Sequence, residues 1–169
     1  MQDTQLYQQI LGLVTPWRVT GVRMDRVARE IEVEVACGET AWACPECGQR
    51  AHVQDWERRR WRHLDSCQFK TILVADVPRV RCADHGSLTV KVPWAEPRSR
   101  FTAYFERLAI DVMLECSVRG ACEILRISWD EADGIKQRAV ARGLRRKPEA
   151  PMRRLGVDEK CETGVASPR

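Results

Sequence analysis

Two short stretches carry residue types that hold metals. Cys44-Pro-Glu-Cys47-Gly48 sets two thiols two residues apart, with a glycine that lets the chain turn. That is one half of a tetrahedral zinc site. Cys82-Ala-Asp-His85-Gly86 repeats the spacing and the trailing glycine, with a histidine in the second position. The two knuckles stand 34 residues apart, 48 to 81. This is wide for a compact finger but suits a zinc ribbon with strands between its halves. Three thiolates and an imidazole would close the coordination sphere, so the expected metal is structural zinc. Asp84, His52, His63, Cys37 or Cys67 could replace one of the four. A lone C-x-x-C is also a redox motif, but no βαβ unit surrounds these cysteines.

The second kind of chemistry is electrostatic. From Lys136 to Arg154 eight basic residues face one acid, Glu149, and Arg58-Arg59-Arg60-Trp61-Arg62-His63 forms another basic block mid-chain. Such blocks point to a polyanionic partner or to a solvated positive face. The stretch "SVRGACEILRISWDEADGIKQRAVARGL" (117–144) reads as a short helix, a three-residue turn and a longer helix. This is the outline of a helix-turn-helix, whose second helix lies in the DNA major groove. Ala121 is small where the helices would cross, and Ile127 and Ile135 can fill the space between them. Arg138, Arg142, Arg145, Arg146 and Lys147 are candidate phosphate contacts, and Gln137 a candidate base reader. Two features oppose this reading: Arg126 stands where a turn glycine is usual, and Asp130, Glu131 and Asp133 open the second helix. The competing reading is an ordinary helical hairpin.

These motifs need elements to hold them. Residues 4–13 read as a helix, and "WRVTGVRM" and "AREIEVEVAC" as two strands about a turn near Asp25. "FKTILVADV" and "RVRCADHG" read as further β structure on either side of Pro78. The β-rich half looks thin in core residues and in need of a metal staple. Beyond Pro93 the pattern turns helical. Phe105, Leu108, Ala109, Val112, Met113 and Cys116 recur at helical spacing behind a Thr102 cap, and Ser128 with Glu131 spells a capping box. The expected fold is α+β: a small β-rich zinc-binding domain with a short N-terminal helix (1–92), then a helical helix-turn-helix domain (93–147), then a linker and the truncated start of a further domain (148–169). The composition, 44% hydrophobic and 31% charged with a net charge of +4, is globular. No apolar run approaches a membrane span and no basic n-region precedes one, so the expected compartment is the cytoplasm, without membrane association. Eight cysteines there serve as metal ligands or small buried hydrophobes rather than disulfides.

Taken in order, "CPECG", "WRHLD", a β-ribbon ending in "VRC", "VPWAEPRSRFT", "RISWDEA", "RAVARGL" and "LGVDEK" resemble the N-terminal part of bacterial insertion-sequence transposases of the ISL type. In that family a zinc finger and a helix-turn-helix precede a DDE catalytic domain of ribonuclease-H-like fold. The resemblance implies that Cys44, Cys47, Cys82 and His85 bind zinc, and that the 117–142 hairpin helps bind the element's terminal inverted repeats. It also implies that Asp158 is the first acid of the catalytic triad, using magnesium in a complete family member. Two departures are the histidine of the second knuckle, where a cysteine is common, and Arg126. Only eleven residues follow Asp158, and "CETGVASPR" does not continue the family pattern. The expected chain is therefore a truncated DNA-binding portion, not an enzyme alone, with duplex DNA and either a second copy or a full-length transposase as partners. An enzyme fragment completed by a missing domain and a zinc-stabilised protein-interaction module are the alternatives.

Overall fold

Residues 30–35 alternate glutamate with isoleucine or valine, and the alternation builds a strand with two unlike faces. The computed structural model, which describes residues 3–147, follows that rule across a six-stranded mixed sheet. A short helix α1 (Asp3–Ile10) leads into β1 (Trp17–Asp25), β2 (Glu30–Cys37), β3 (Ala41–Ala43), β4 (Arg50–Ser66), β5 (Phe69–Cys82) and β6 (Gly86–Thr89). Three helices follow: α2 (Ala103–Glu115), α3 (Val118–Leu125) and α4 (Trp129–Arg146). The strand order is β1-β2-β5-β4-β3, with β6 also on β5. The fold is α+β.

The basic, tryptophan-rich stretch is part of β4, a 17-residue strand paired antiparallel with β5 from Val53–Val80 to Ser66–Phe69. Cys67 and Gln68 close this hairpin, both at positive φ, as a two-residue turn of primed type requires. On its other edge β5 meets two strands end to end: β2, parallel, over Lys70–Ala75, and β6, antiparallel, over Arg79–Cys82. Pro78 does not break β5. It falls in the gap between those partners, where its carbonyl accepts from Val90 N–H at 2.9 Å and no donor is needed from it.

One face of the sheet is apolar. Ile31, Val33 and Val35 of β2, Leu73, Ala75 and Val77 of β5 and Trp61 of β4 are buried under Tyr7, Leu11, Leu13, Trp17 and Trp94. Trp94 meets Trp17 and Trp61 edge-on, with ring centroids 4.9 and 5.4 Å apart. The β-rich half is thus not thin in core, as composition had implied, because its apolar residues are concentrated on one face. The other face is ionic. Arg23 pairs with Glu32 and Glu34, Arg58 with Glu34 and Asp76, and Arg60 with Glu30 and Glu32. Solvent-exposed pairs like these contribute little each. Their consequence is that Arg58 and Arg60 are already neutralised.

Residues 93–102 join the helices to the sheet. Trp94 lies in the sheet core and its carbonyl accepts from Ala103 N–H at 2.8 Å. Arg62 of β4 donates to the Arg100 carbonyl at 2.8 Å and accepts from Thr102 N–H at 2.9 Å. Thr102 caps α2, as its position predicts, and its hydroxyl also meets His63 Nδ1 at 2.9 Å. His63 is 3% exposed, and burial pushes its imidazole down to about 4. An unfolded histidine titrates near about 6.5, so in between the unfolded chain binds a proton that the folded chain refuses. The stability contributed by neutral His63 is full above that interval and is lost as pH falls through it. We expect the urea midpoint to drop between pH of about 6.5 and 4, and the drop to shrink in His63→Asn. An equal drop in the variant would locate the acid sensitivity elsewhere.

Candidate functional site

The two knuckles meet because β4 starts where β5 ends. Cys44 and Cys47 precede β4, Cys82 closes β5, and His85 precedes β6. In the first knuckle Gly48 N–H donates to the Cys44 carbonyl at 2.9 Å, and Cys44 N–H to the Gln49 carbonyl at 2.7 Å. Gly48 and Gly86 hold φ of 75° and 69°, which glycine adopts without cost. The four donor atoms of Cys44, Cys47, Cys82 and His85 lie within 4.8 Å of one another. Cys47 and Cys82 sulfurs are 3.7 Å apart, and His85 Nδ1 stands 3.6 Å from Cys82 and 3.9 Å from Cys44. Tetrahedral zinc, with bonds of about 2.3 Å to sulfur and about 2.0 Å to nitrogen, needs ligand atoms about 3.5–3.8 Å apart. The donor set fits that ion.

The electrostatics agree with the geometry. Backbone N–H groups of Asp84 and His85 hold the Cys82 thiol below its usual pKa, favouring thiolate. The Gln49 amide pulls Cys47 down too, but desolvation and the crowding of Cys44 and Cys82 outweigh it and leave that thiol raised. Crowded sulfurs of this kind call for a cation. Of the alternative ligands, His63 is buried against Thr102, Cys67 sits in the β4–β5 turn and Cys37 lies by Glu39 N–H. His52 pairs with Ala41 in the sheet. Asp84 turns its backbone N–H toward Cys82.

The second candidate element is the α3–α4 hairpin. Ser117 caps α3 and accepts from Gly120 N–H, and Ser128 with Glu131 forms the full capping box of α4. Ala121, Leu125 and Ile135 are buried between the helices and α2, with Ile127 packed beside them. Arg126 occupies the turn at φ 57° and ψ 47°, the left-handed region that usually selects glycine. Its guanidinium pairs with Asp65 and donates to the Gln68 carbonyl at 3.4 Å, so the arginine ties the turn to the tip of the β4–β5 hairpin. Two of the acids at the front of α4 are engaged within the chain. Glu131 accepts from Ser128 N–H at 2.8 Å, and Asp133 pairs with Lys136 at 2.9 Å and accepts from Gln137. Lys136 foremost holds the Asp133 carboxyl below its ordinary range.

The expected phosphate contacts divide into two groups. Arg138 and Arg142 turn inward onto Glu106, which is 1% exposed: Arg138 Nε lies 2.7 Å and Arg142 Nη1 2.9 Å from its carboxylate. Arg142 also reaches Glu96 at 2.9 Å, and Ser99 Oγ donates to Glu106 at 2.7 Å. Partial burial opposes the Arg142 charge, but Glu106 and Glu96 more than offset it and raise its pKa. These two arginines therefore clamp α4 to α2, an engagement within the chain that their expected role as phosphate contacts did not include. The periodicity of α2 did not reveal it, because Glu106 reads as an exposed acid until the two arginines arrive from α4. Arg145, Arg146 and Lys147 are exposed at the far end of α4, and Gln137 is exposed midway along it. Asp158 lies outside the described residues.

Residues 40–85 match the model of the zinc-finger of transposase IS204/IS1001/IS1096/IS1165. Residues 90–140 match that of the helix-turn-helix domain of transposase family ISL3. The transposase for insertion sequence element IS1557, from two strains of Mycobacterium tuberculosis, is 35% identical over 119 residues. That match covers 69% of this chain and 27% of the relative, so the chain spans well under half the length of the curated relatives it matches. No solved structure matches the chain significantly. From the donor geometry we expect metal analysis of the purified chain to find one zinc per molecule, and Cys44→Ser to lose it. A purified chain that holds no metal while β3 and β6 stay ordered would contradict the assignment.

Proposed function

The chain belongs, through residues 40–85 and 90–140, to the ISL3 family of insertion-sequence transposases, and we propose that it acts as the duplex-DNA-binding part of such a protein. The observation that carries this reading is the α3–turn–α4 unit. Both helices are capped, the turn is left-handed at Arg126, and Ala121 and Ile135 are fully buried at the crossing. A helix presented in this way on a rigid hairpin suits insertion into a major groove. Gln137 is the residue on it best suited to read base edges, and Arg145, Arg146 and Lys147 those suited to phosphates. The bound DNA is proposed to be the terminal inverted repeats of an insertion element, with a second copy or a full-length transposase completing the complex.

The proposed zinc, held by Cys44, Cys47, Cys82 and His85, is structural. It leaves no open position for a substrate. Magnesium-dependent strand chemistry would belong with Asp158, outside the described residues, and none is proposed for the described ones. No described helix is long and apolar enough to cross a membrane. A second reading, a zinc-stabilised interaction module, draws on Val140 and Leu144, exposed one turn apart on α4.

Salt dependence separates the two. If Arg145 and Arg146 contact phosphates, replacing both with alanine should flatten the log–log dependence of DNA affinity on salt by about two units, equally for all sequences. Gln137→Ala should instead change the preference between sequences. An unchanged salt slope in the double variant would favour the interaction module.

A further inference from the structure

β4 presents its arginines alternately to two faces, and the two sets have different fates. Arg58 and Arg60 are consumed by carboxylates of β2 and β5. Arg59, on the opposite face, lies over the Trp61 ring at 5.5 Å instead. It lines a cleft of about 310 Å³ together with Lys91 and Arg98, beside Pro45 and Glu46 of the first knuckle. Arg98 also lines a second hollow, of about 220 Å³, with Arg100 and with Gly134 and Arg138 of α4. Arg98 is thus common to the linings of both hollows. Among the described residues no carboxylate pairs with Arg59, Lys91, Arg98 or Arg100.

The loop that carries two of these residues is fixed. Between the exposed Arg98 and Arg100, Ser99 is 1% exposed. Its hydroxyl bonds the Phe101 carbonyl at 2.9 Å and Glu106 at 2.7 Å. Its N–H donates to the Glu96 carbonyl at 3.1 Å, and the Arg100 carbonyl is held by Arg62. The flanking arginines thus project from a backbone already ordered, which lowers the cost of engaging a ligand. Four acids also line the hollows: Glu46, Glu96, Asp130 and Glu131. Arg142 pairs with Glu96, and Glu131 is held by the Ser128 N–H, which leaves its charge in place; Glu46, Asp130 and Glu131 therefore stand against the four cations, one fewer than their number.

We propose that Arg59, Lys91, Arg98 and Arg100 form a second backbone-contact strip for duplex DNA, running from the zinc knuckle to the front of α4. The inference rests on the reading that the chain binds duplex DNA, and it adds a site separate from the basic end of α4. The strip abuts α4, since Arg98 and Arg100 line one hollow with Asp130, Glu131 and Gly134 of that helix. The phosphates of a duplex supply the charge that the strip lacks.

The test uses the purified chain and a short duplex of arbitrary sequence, since phosphate contacts need no particular bases. Arg98→Asn with Arg100→Gln is the informative variant, because asparagine tolerates the left-handed backbone (φ 64°) at Arg98. Its log–log salt slope should flatten by about two units. Arg98→Lys with Arg100→Lys should restore the slope, which excludes a folding defect. Arg58→Gln with Arg60→Gln should leave it unchanged. A wild-type slope in the Asn/Gln variant, alongside a flattened one in the Arg145/Arg146 variant, would overturn the strip and leave the DNA reading standing. Equal flattening by the 58/60 pair would reduce the strip to general positive charge and overturn it. No binding by the wild-type chain would overturn both.

Discussion

The backbone ladder between β4 and β5 is the constraint on which everything else hangs. The seventeen-residue β4 and fourteen-residue β5 pair from Val53–Val80, near the zinc knuckles, to Ser66–Phe69 at the Cys67–Gln68 turn. At the first end the ladder brings Cys47 and Cys82 into contact although 34 residues lie between them. At the second, Asp65 and Gln68 receive Arg126 from the helical hairpin. Along the middle, Arg62 receives the backbone of Arg100 and Thr102. A metal site and a helix-turn-helix, far apart in kind, are thereby fixed to one ribbon.

Arginine shows how far context decides what a charge is for. Arg138 and Arg142 leave solvent for Glu106, a pairing in which removal of one partner would strand a buried charge. Arg58 and Arg60 are neutralised on an ionic face that also hides Val74. Arg126 is a tether. Among the described residues, the arginines at the end of α4, those of the 98–100 loop and Arg59 of β4 meet no carboxylate and keep their charge free. A count of basic residues cannot make this distinction. A list of their partners can.

Local chemistry was legible in the sequence, and long-range pairing was not. The knuckles, the Thr102 cap, the Ser128–Glu131 box and the small Ala121 each depend on residues a few positions apart, so spacing alone identified them. β2 was plain from its Glu/Ile/Val alternation. Pro78 misled, because a proline interior to a strand is tolerated only where two neighbours leave a gap, and the gap is a property of the sheet. Core size was underestimated for a similar reason: Trp17, Trp61 and Trp94 come from three separate segments and become a core only once stacked. Glu106 and its two arginines, 32 and 36 residues away, carry no local mark at all.

The arrangement makes the metal responsible for one end of the ribbon and not for its body. Around the knuckles the apolar support is small, with Ala51, Val80 and Val90 buried beside Trp42 and Val53. The main sheet has its own twelve-residue core, and the helices have theirs around Phe105 and Ile135. Native-state hydrogen exchange on the chain with its metal and after chelation tests this most directly. The account predicts that chelation strips protection from the amides of β3 and β6 while Trp61, Leu73 and the interior of α4 stay protected. Loss of protection at Leu73 and along α4 in the same step would contradict it, and would make the metal the keystone of the whole fold.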